Sequence, residues 1–283
     1  MKKNIKSILP DTIIPFLRDP LRKNARKKRH MYREFYQYAQ SITRHIKSPK
    51  IIEIGVAQPP DLISDLASEL GSTFNFGVNI NVTKSYTYAG IKIEYGDARN
   101  LKYEENSFNI LISLNVFEHI QNFDQALSEF YRILEPNGIL IAQFAPIWSS
   151  PFGHHLWLDY NERLFTYENL NIDPFLHLLK NKDEIISRLQ LTNQSLNEDY
   201  AEQIANYMLF SPDQNQLMLN DYENIIRHSA FEIISFRRIQ SLPQTGTKFL
   251  SKMSIDNWKE LKKIYPENYE DFFYDGLQIV LKK

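Results

Sequence analysis

Between residues 50 and 144, short apolar runs alternate with amphipathic stretches, and no other feature of the chain restricts its fold as much. Runs such as IIEI at 51–54 and NILIS at 109–113 suit strands covered on both faces. The pattern predicts strands over 50–54, 74–80, 91–95, 108–113 and 138–144, with helices over 61–70 and 124–134. Strands separated by helices build parallel units with right-handed crossovers. After Pro146 the alternation stops. Residues 147–180 carry aromatics and histidines with few secondary-structure signals, then three helical stretches follow near 182–191, 198–210 and 216–228. Strand character returns at 231–239 and 277–281. The organisation expected is a basic arm and helix over 1–47, a core over 48–146, a helical and aromatic insertion over 147–229, and completion of the sheet over 230–283. Ordered insertions of this length commonly serve a substrate site.

The chain of 283 residues has no cysteine, which excludes disulfides, thiolate metal sites and a cysteine nucleophile. No apolar run approaches the roughly 20 residues that cross a bilayer, and the first residues lack a signal core, so a cytoplasmic protein is expected. The net charge of −1 conceals an asymmetry. Residues 1–50 hold 14 Lys/Arg against 3 Asp/Glu, leaving an acidic remainder. Lys23, Arg26, Lys27, Lys28 and Arg29 lie close in sequence to Ile13, Ile14, Phe16, Leu17 and Leu21. Such a segment suits weak contact with anionic membrane or a partner, or packing of a solvated arm on the acidic body. A homo-oligomer is compatible with it.

Chemistry enters at IIEIGVAQPP, residues 51–60. A strand, then Gly55, then a helix, is the junction where a doubly wound sheet receives a nucleotide-like ligand. A plain strand-to-helix turn has the same look. The next segment is more specific. Gly96-Asp97-Ala98, Ser107-Phe108-Asn109, Asn115-Val116-Phe117-Glu118-His119-Ile120 and Leu134-Glu135-Pro136-Asn137-Gly138 occur in that order. Over residues 48–146 the chain resembles the S-adenosylmethionine-dependent methyltransferases, of the type-11-like, Rossmann-like kind.

The resemblance implies an α/β fold with a mostly parallel seven-stranded sheet, helices on both faces and a large insertion after the fifth strand. It also implies S-adenosylmethionine as cofactor. Glu53, Gly55 and Ala57 would line its methionine side, and Asn79 would meet the ribose. Asp97 would accept from the adenine amino group, with the Ala98 N–H facing a ring nitrogen. Asn115, Val116 and His119 would flank the cofactor at the fourth strand.

Two departures stand out. The family's Gly-x-Gly-x-Gly loop is here Gly55-Val56-Ala57-Gln58-Pro59, where Ala adds a methyl and Pro removes a donor. Where the family ends its second strand in an acid, VNIN sets Asn79, which lacks a carboxylate's charge-assisted strength.

The insertion opens with PIWSSPFGHHLW, residues 146–157, followed by NIDPFLHLL at 171–179. These stretches are similar to bacterial methyltransferases that tailor glycans and secondary metabolites. Histidine suits removal of a hydroxyl proton because its free pKa of about 6.5 lies near operating pH. His154, His155 and His177 are therefore the candidate bases, with a packed, hydrogen-bonded pair as the alternative. Trp148, Trp157, Tyr160, Phe165 and Phe175 make either a sugar-stacking wall or the core of the insertion.

The activity implied is O-methylation of a small-molecule or sugar acceptor, nucleotide- or lipid-linked. A non-catalytic scaffold of the same fold is the second reading, motivated by the missing glycines and acid. A third, RNA methylation through the basic arm, lacks a recognised binding module, and SLNVFEH stands where base N-methylation uses Asn-Pro-Pro-Tyr. That argues against nucleic acid as a partner. No metal site is expected.

Overall fold

A computed structural model describes residues 22–240 and 253–283. The described residues divide into two compact units, one ending at residue 44 and the other beginning at residue 45. In the first, helix α1 spans Arg22–Thr43 and so takes in the backbone of the basic segment. It buries Phe35, Ala39 and Thr43, a stripe spaced by four residues, and the Thr43 hydroxyl donates to the Ala39 carbonyl. The apolar residues 13–21 lie outside the described residues.

The second unit is built on β1 (Lys50–Ile54), β2 (Phe74–Asn79), β3 (Tyr86–Tyr88), β4 (Ile91–Tyr95), β5 (Phe108–Leu114), β6 (Leu134–Phe144), β9 (Glu232–Gln240) and β10 (Tyr274–Lys282). They form an eight-stranded sheet in the order β3-β4-β2-β1-β5-β6-β10-β9. Pairing is parallel from β4 through β6 and antiparallel at both margins. The expected α/β architecture is present, with one correction: the sheet has eight strands and not seven. The extra strand is β3. The link after β2 is too short for a helix and instead adds an edge strand that pairs antiparallel with β4. Ala89 and Gly90, both at positive φ, close that hairpin, as a two-residue turn of the primed type requires.

Helix α2 (Asp61–Leu70) follows β1, and α3 (Phe123–Ile133) precedes β6. α3 buries Phe123, Ala126, Leu127, Phe130 and Ile133, the recurrence that turns one helical face to a core. These pack with Ile52 and Ile54 of β1, Leu140 and Phe144 of β6, and Leu219, Tyr222 and Ile226 of α7 (Leu219–Arg227). Strand alternation then sends Glu53 to the opposite face, where its carboxylate accepts from the Ile63 N–H of α2.

The insertion has a core of its own. Hairpin β7 (Trp157–Tyr160) and β8 (Arg163–Thr166) turns at Asn161 and Glu162, both at positive φ. Short α4 (Leu176–Leu179) leads to α5 (Lys182–Thr192), opened by an Asn181/Glu184 capping box, and α6 (Glu198–Phe210), capped by Asn197. Leu156, Phe165, Ile185, Leu189, Ile204 and Met208 fill the space between. A further helix, α8 (Ile255–Ile264), contributes Leu261 to a cluster with Phe175, Leu179 and Phe272. No helix among the described residues is long and apolar enough to cross a membrane.

Phe130 is fully buried and stacks on Phe117 at 5.4 Å. Phe130→Ala is expected to cost about 3–5 kcal/mol in urea unfolding, because the ring leaves a cavity that the sheet cannot fill.

Candidate active site

The chain leaves β1 in one direction toward β2 and β4, and reaches β5 and β6 in the other, so the winding reverses between β1 and β5. In an open α/β sheet, ligands bind beyond the carboxyl ends of the strands at this point. Gly55 leaves β1 with φ 75°. A Cβ built there would lie 2.1 Å from Val116 Cγ2, so only glycine admits the Val116 side chain that follows β5. The Gly55 and Val56 N–H groups both donate to the Val78 carbonyl (2.8 and 3.1 Å). Asn79 turns back on this loop: its side-chain N–H donates to Val56 O, and its oxygen accepts from Asn81 N–H. Ala57 is exposed.

Asp97 follows β4 and is half-buried. Its Oδ1 accepts from the Arg99 backbone N–H and Nε, and its Oδ2 from Nε and, at 2.6 Å, Nη2. The Arg99 guanidinium accordingly holds this carboxyl below its ordinary range. Ala98 packs against the core below.

At the end of β5 the polar groups are of another kind. Asn115, at φ 54°, has a buried Oδ1 without a hydrogen-bond partner among the described residues. Three residues on, Glu118 is fully buried, and both of its carboxyl oxygens lack a partner. Burial pushes its pKa up to about 8, only partly offset by the backbone of Glu118 and Ala145. Glu53, buried below the same crevice, is likewise raised to about 8 by desolvation, against the Ile63 hydrogen bond. Both carboxyls are therefore predominantly protonated at neutral pH. Glu118 was missed at the sequence level, because inside VFEHI it reads as one more polar residue of a turn.

The three candidate histidines divide. His155, at φ 47°, stands against His119 with ring centroids 4.9 Å apart, and its Nε2 is buried and unpartnered. Its pKa is lowered to about 3 by burial and by His119, despite the Ala145 backbone beside it. His119 Nδ1 meets the Asp213 carbonyl. His154 and His177 instead face each other inside the insertion, centroids 5.2 Å apart, beside Trp148. His154 Nδ1 accepts from Leu156 N–H and His177 Nε2 donates to Trp148 O. Each tautomer is thus fixed by the backbone, and both rings are neutral: burial drives His154 well below its usual pKa and His177 to about 4. Gly153 permits this turn, since a Cβ there would meet the Trp148 carbonyl oxygen at 2.3 Å. Of the aromatics, Phe165 and Phe175 are core, whereas Trp157 is 49% exposed. Among the described residues no group of three or more His, Asp or Glu is arranged to hold a metal ion.

Residues 70–142 match the family model described as a methyltransferase domain. That match lies within the open α/β sheet, whose strand order around the switch point is Rossmann-like. Among solved structures the chain is similar to a putative sarcosine dimethylglycine methyltransferase from Galdieria sulphuraria (13% identity, 88% of this chain and 84% of that chain, TM-score 0.47). It is also similar to an S-adenosylmethionine-dependent methyltransferase from Mesorhizobium loti (14%, 84% and 92%, 0.46). A third likeness is to a chain of the complex between the Haloferax volcanii Trm112 activator and a putative methyltransferase (15%, 92% and 94%, 0.48). A comparison with curated protein sequences found no match.

The residues fit the cofactor best at its methionine end, where Asn115 Oδ1 is an unsatisfied acceptor beside the left-handed Gly55. At the adenine end Asp97 fits by exchange: an amino group there competes with Arg99 for a carboxylate whose acceptor positions are already used.

Two outcomes follow. Gly55→Ala is expected to destabilise by about 1–3 kcal/mol in denaturant unfolding, and adding Val116→Ala recovers the steric part but not the φ strain. The second concerns pH. His155 and His177 have depressed folded pKa values, so their stabilisation is complete above about 6.5 and is lost as pH falls toward 4 and 3. Glu53 and Glu118 have raised values, so theirs is complete below 4.5 and is lost as pH rises through 8. Thermal unfolding from pH 4 to 9 is expected to give a maximum near about pH 6.5, with the alkaline decline reduced in Glu118→Gln.

Proposed function

We propose that the chain is an S-adenosylmethionine-dependent methyltransferase that methylates a hydroxyl of a small-molecule acceptor of glycan type, a nucleotide- or lipid-linked sugar, with His155 as the group that receives the hydroxyl proton. The observation that carries the reading is His155 itself. Its imidazole is neutral, its Nε2 is buried and unpartnered among the described residues, and it lies tilted against His119, in the turn that follows β5. A neutral ring nitrogen accepts a hydrogen bond from a hydroxyl and orients an oxygen lone pair toward the methyl group. The bound cofactor supplies an electrophilic methyl carbon. The rest of the work is positioning, which aligns acceptor oxygen, methyl carbon and sulfur.

Among the described residues, the groups named at the β5 end of the crevice include no cation. Glu53 and Glu118 are predominantly protonated, and His154, His155 and His177 are neutral. Such surroundings suit an uncharged sugar hydroxyl. The exposed Trp157 on the β7–β8 hairpin supports a sugar-stacking face at the rim. His154 and His177 would then hold the turn that presents His155. The basic segment at the N-terminus is the candidate for contact with an anionic lipid carrier or a protein partner, within a homo-oligomer or a monomer. No RNA contact is proposed.

His155→Ala is expected to lower turnover by about 10²–10⁴-fold in an acceptor screen begun with nucleotide sugars, with S-adenosylhomocysteine affinity retained. His154→Ala is expected to lower the unfolding midpoint more than turnover per folded molecule. Full activity of His155→Ala overturns its role as base. Failure of the folded wild type to bind S-adenosylmethionine turns the reading toward a scaffold.

A further inference from the structure

The connector from α6 to α7, residues 211–218, carries three carboxamides in a row, Gln214, Asn215 and Gln216. With the end of α6 it walls an open cleft of about 370 Å³, whose lining includes Gln121, Leu209, Phe210, Pro212, Gln214 and Gln216 and contains no ionisable side chain. That volume lies at the lower end of the range that small-molecule clefts occupy.

The amide nitrogens around the cleft are already committed. Gln121 Nε2 donates to Pro212 O (3.0 Å) and Gln214 O (2.6 Å), and Gln216 Nε2 donates to Leu209 O (2.9 Å). Because these partners are carbonyls, the way each amide points is fixed, and Gln121 and Gln216 keep an oxygen each for a ligand. Asn215 serves the frame instead. Its side-chain amide donates to Phe117 O (2.9 Å) and Ile120 O (3.1 Å), and its oxygen accepts from the Tyr222 hydroxyl (2.8 Å). Helix α6 brings its C-terminus to the cleft, where the last carbonyls carry partial negative charge. The N-terminus of α7 is closed by its own Asp221, which accepts from Met218 N–H (2.9 Å). A phosphate or carboxylate therefore finds no cation and no open helix N-terminus here. An ammonium finds no carboxylate. Hydroxyl donors suit the two oxygens, and Phe210, 68% exposed, offers an aromatic ring to the apolar face of a pyranose.

The connector also ties this cleft to the histidines of the acceptor site proposed above. The Asp213 carbonyl meets His119 Nδ1 at 2.5 Å, and the Gln214 side-chain amide lies 3.3 Å from the same nitrogen. The Asp213 carboxylate is taken up by the Tyr207 hydroxyl (3.1 Å), and the Asn215 N–H donates to the Glu118 carbonyl (3.0 Å). His119 in turn lies against His155, with ring centroids 4.9 Å apart. One residue, His119, thus stands between the cleft lining and His155.

We propose that this cleft is a sugar subsite, which holds an uncharged pyranose ring next to the one that is methylated, so that the acceptor carries at least two sugar units. The subsite deepens the glycan reading and rests on it. It also places any phosphate of the acceptor away from this side of His119.

The test is saturation-transfer NMR of the full chain, with maltose, cellobiose and lactose as uncharged probes and glucuronic acid as a charged competitor. The wild type is expected to bind at least one of the three disaccharides with millimolar affinity, and glucuronic acid is expected not to displace it. Phe210→Ser, a change at an exposed position, is expected to weaken that binding about 5–10-fold, and Phe210→Trp, which keeps a ring, is expected to retain it. Binding unchanged in Phe210→Ser overturns the proposal, as does binding of none of the three disaccharides or displacement by glucuronic acid. Calorimetry with S-adenosylhomocysteine on the same samples separates the two readings. Sugar binding without S-adenosylhomocysteine binding keeps the cleft as a sugar site and overturns the methyltransferase reading. The reverse overturns the subsite alone.

Discussion

The contact between Gly55 and Val116 governs the site. β1 and β5 are neighbours in the sheet, and their carboxyl ends close on each other because one residue has no side chain and the other fills the space left. The Ser113 hydroxyl reinforces the junction by donating to the Ile54 carbonyl at 3.0 Å. The residues on either side of Val116 are placed beside this packing: the Asn115 carboxamide before it, and after it the turn bearing Glu118 and His119, against which the His155 ring lies. A glycine in a cofactor loop is ordinarily read as room for the ligand. Here part of that room belongs to the protein, so this one glycine serves the packing of Val116 against the end of β1.

The two ends of the crevice follow different electrostatic rules. At the end of β4, Asp97 is charged, half-buried and satisfied by Arg99, an arrangement that tolerates water and exchanges partners at small cost. At the β5 end the groups are neutral, buried and in part unsatisfied. A low-dielectric pocket strengthens any interaction made with a newly arrived charge. The first end is suited to recognition and the second to chemistry. The insertion makes the second end possible, since it supplies both His155 and, through Asn215, the bracket that holds the Glu118 turn.

The sheet was legible because its strands are short, apolar and separated by helical periodicity, a local signal. What local signals do not carry was lost. Residues 86–88 are an exposed three-residue strand with no burial pattern to read, so the eighth strand was invisible. The β7–β8 hairpin turns on Asn161-Glu162 and not on an Asn-Gly pair, and its exposed positions include a tryptophan. In the site, the motif order singled out Gly55, Asp97 and Asn115, which follow β1, β4 and β5 in the structure, but position is not availability. That Asn79 turns back on Val56, and that Arg99 occupies Asp97, depend on side-chain directions which a motif does not specify. The neighbouring histidines of Gly-His-His look equivalent in sequence. Backbone geometry separates them: His155 takes a left-handed conformation and swings toward His119, while His154 packs inward against His177.

A fold that leaves polar atoms unsatisfied pays for them in stability. Asn115 Oδ1, both Glu118 oxygens and His155 Nε2 are buried without a hydrogen-bond partner among the described residues. The brackets around them, Asn215 on the turn and Trp148 on His177, show that the chain has the means to hold such groups in register. That these four remain apart, while the backbone that carries them is tied down, is the arrangement expected of a site preorganised for a ligand that brings the missing partners. Apolar replacements at the same positions would give a more stable protein with nothing to offer a polar ligand.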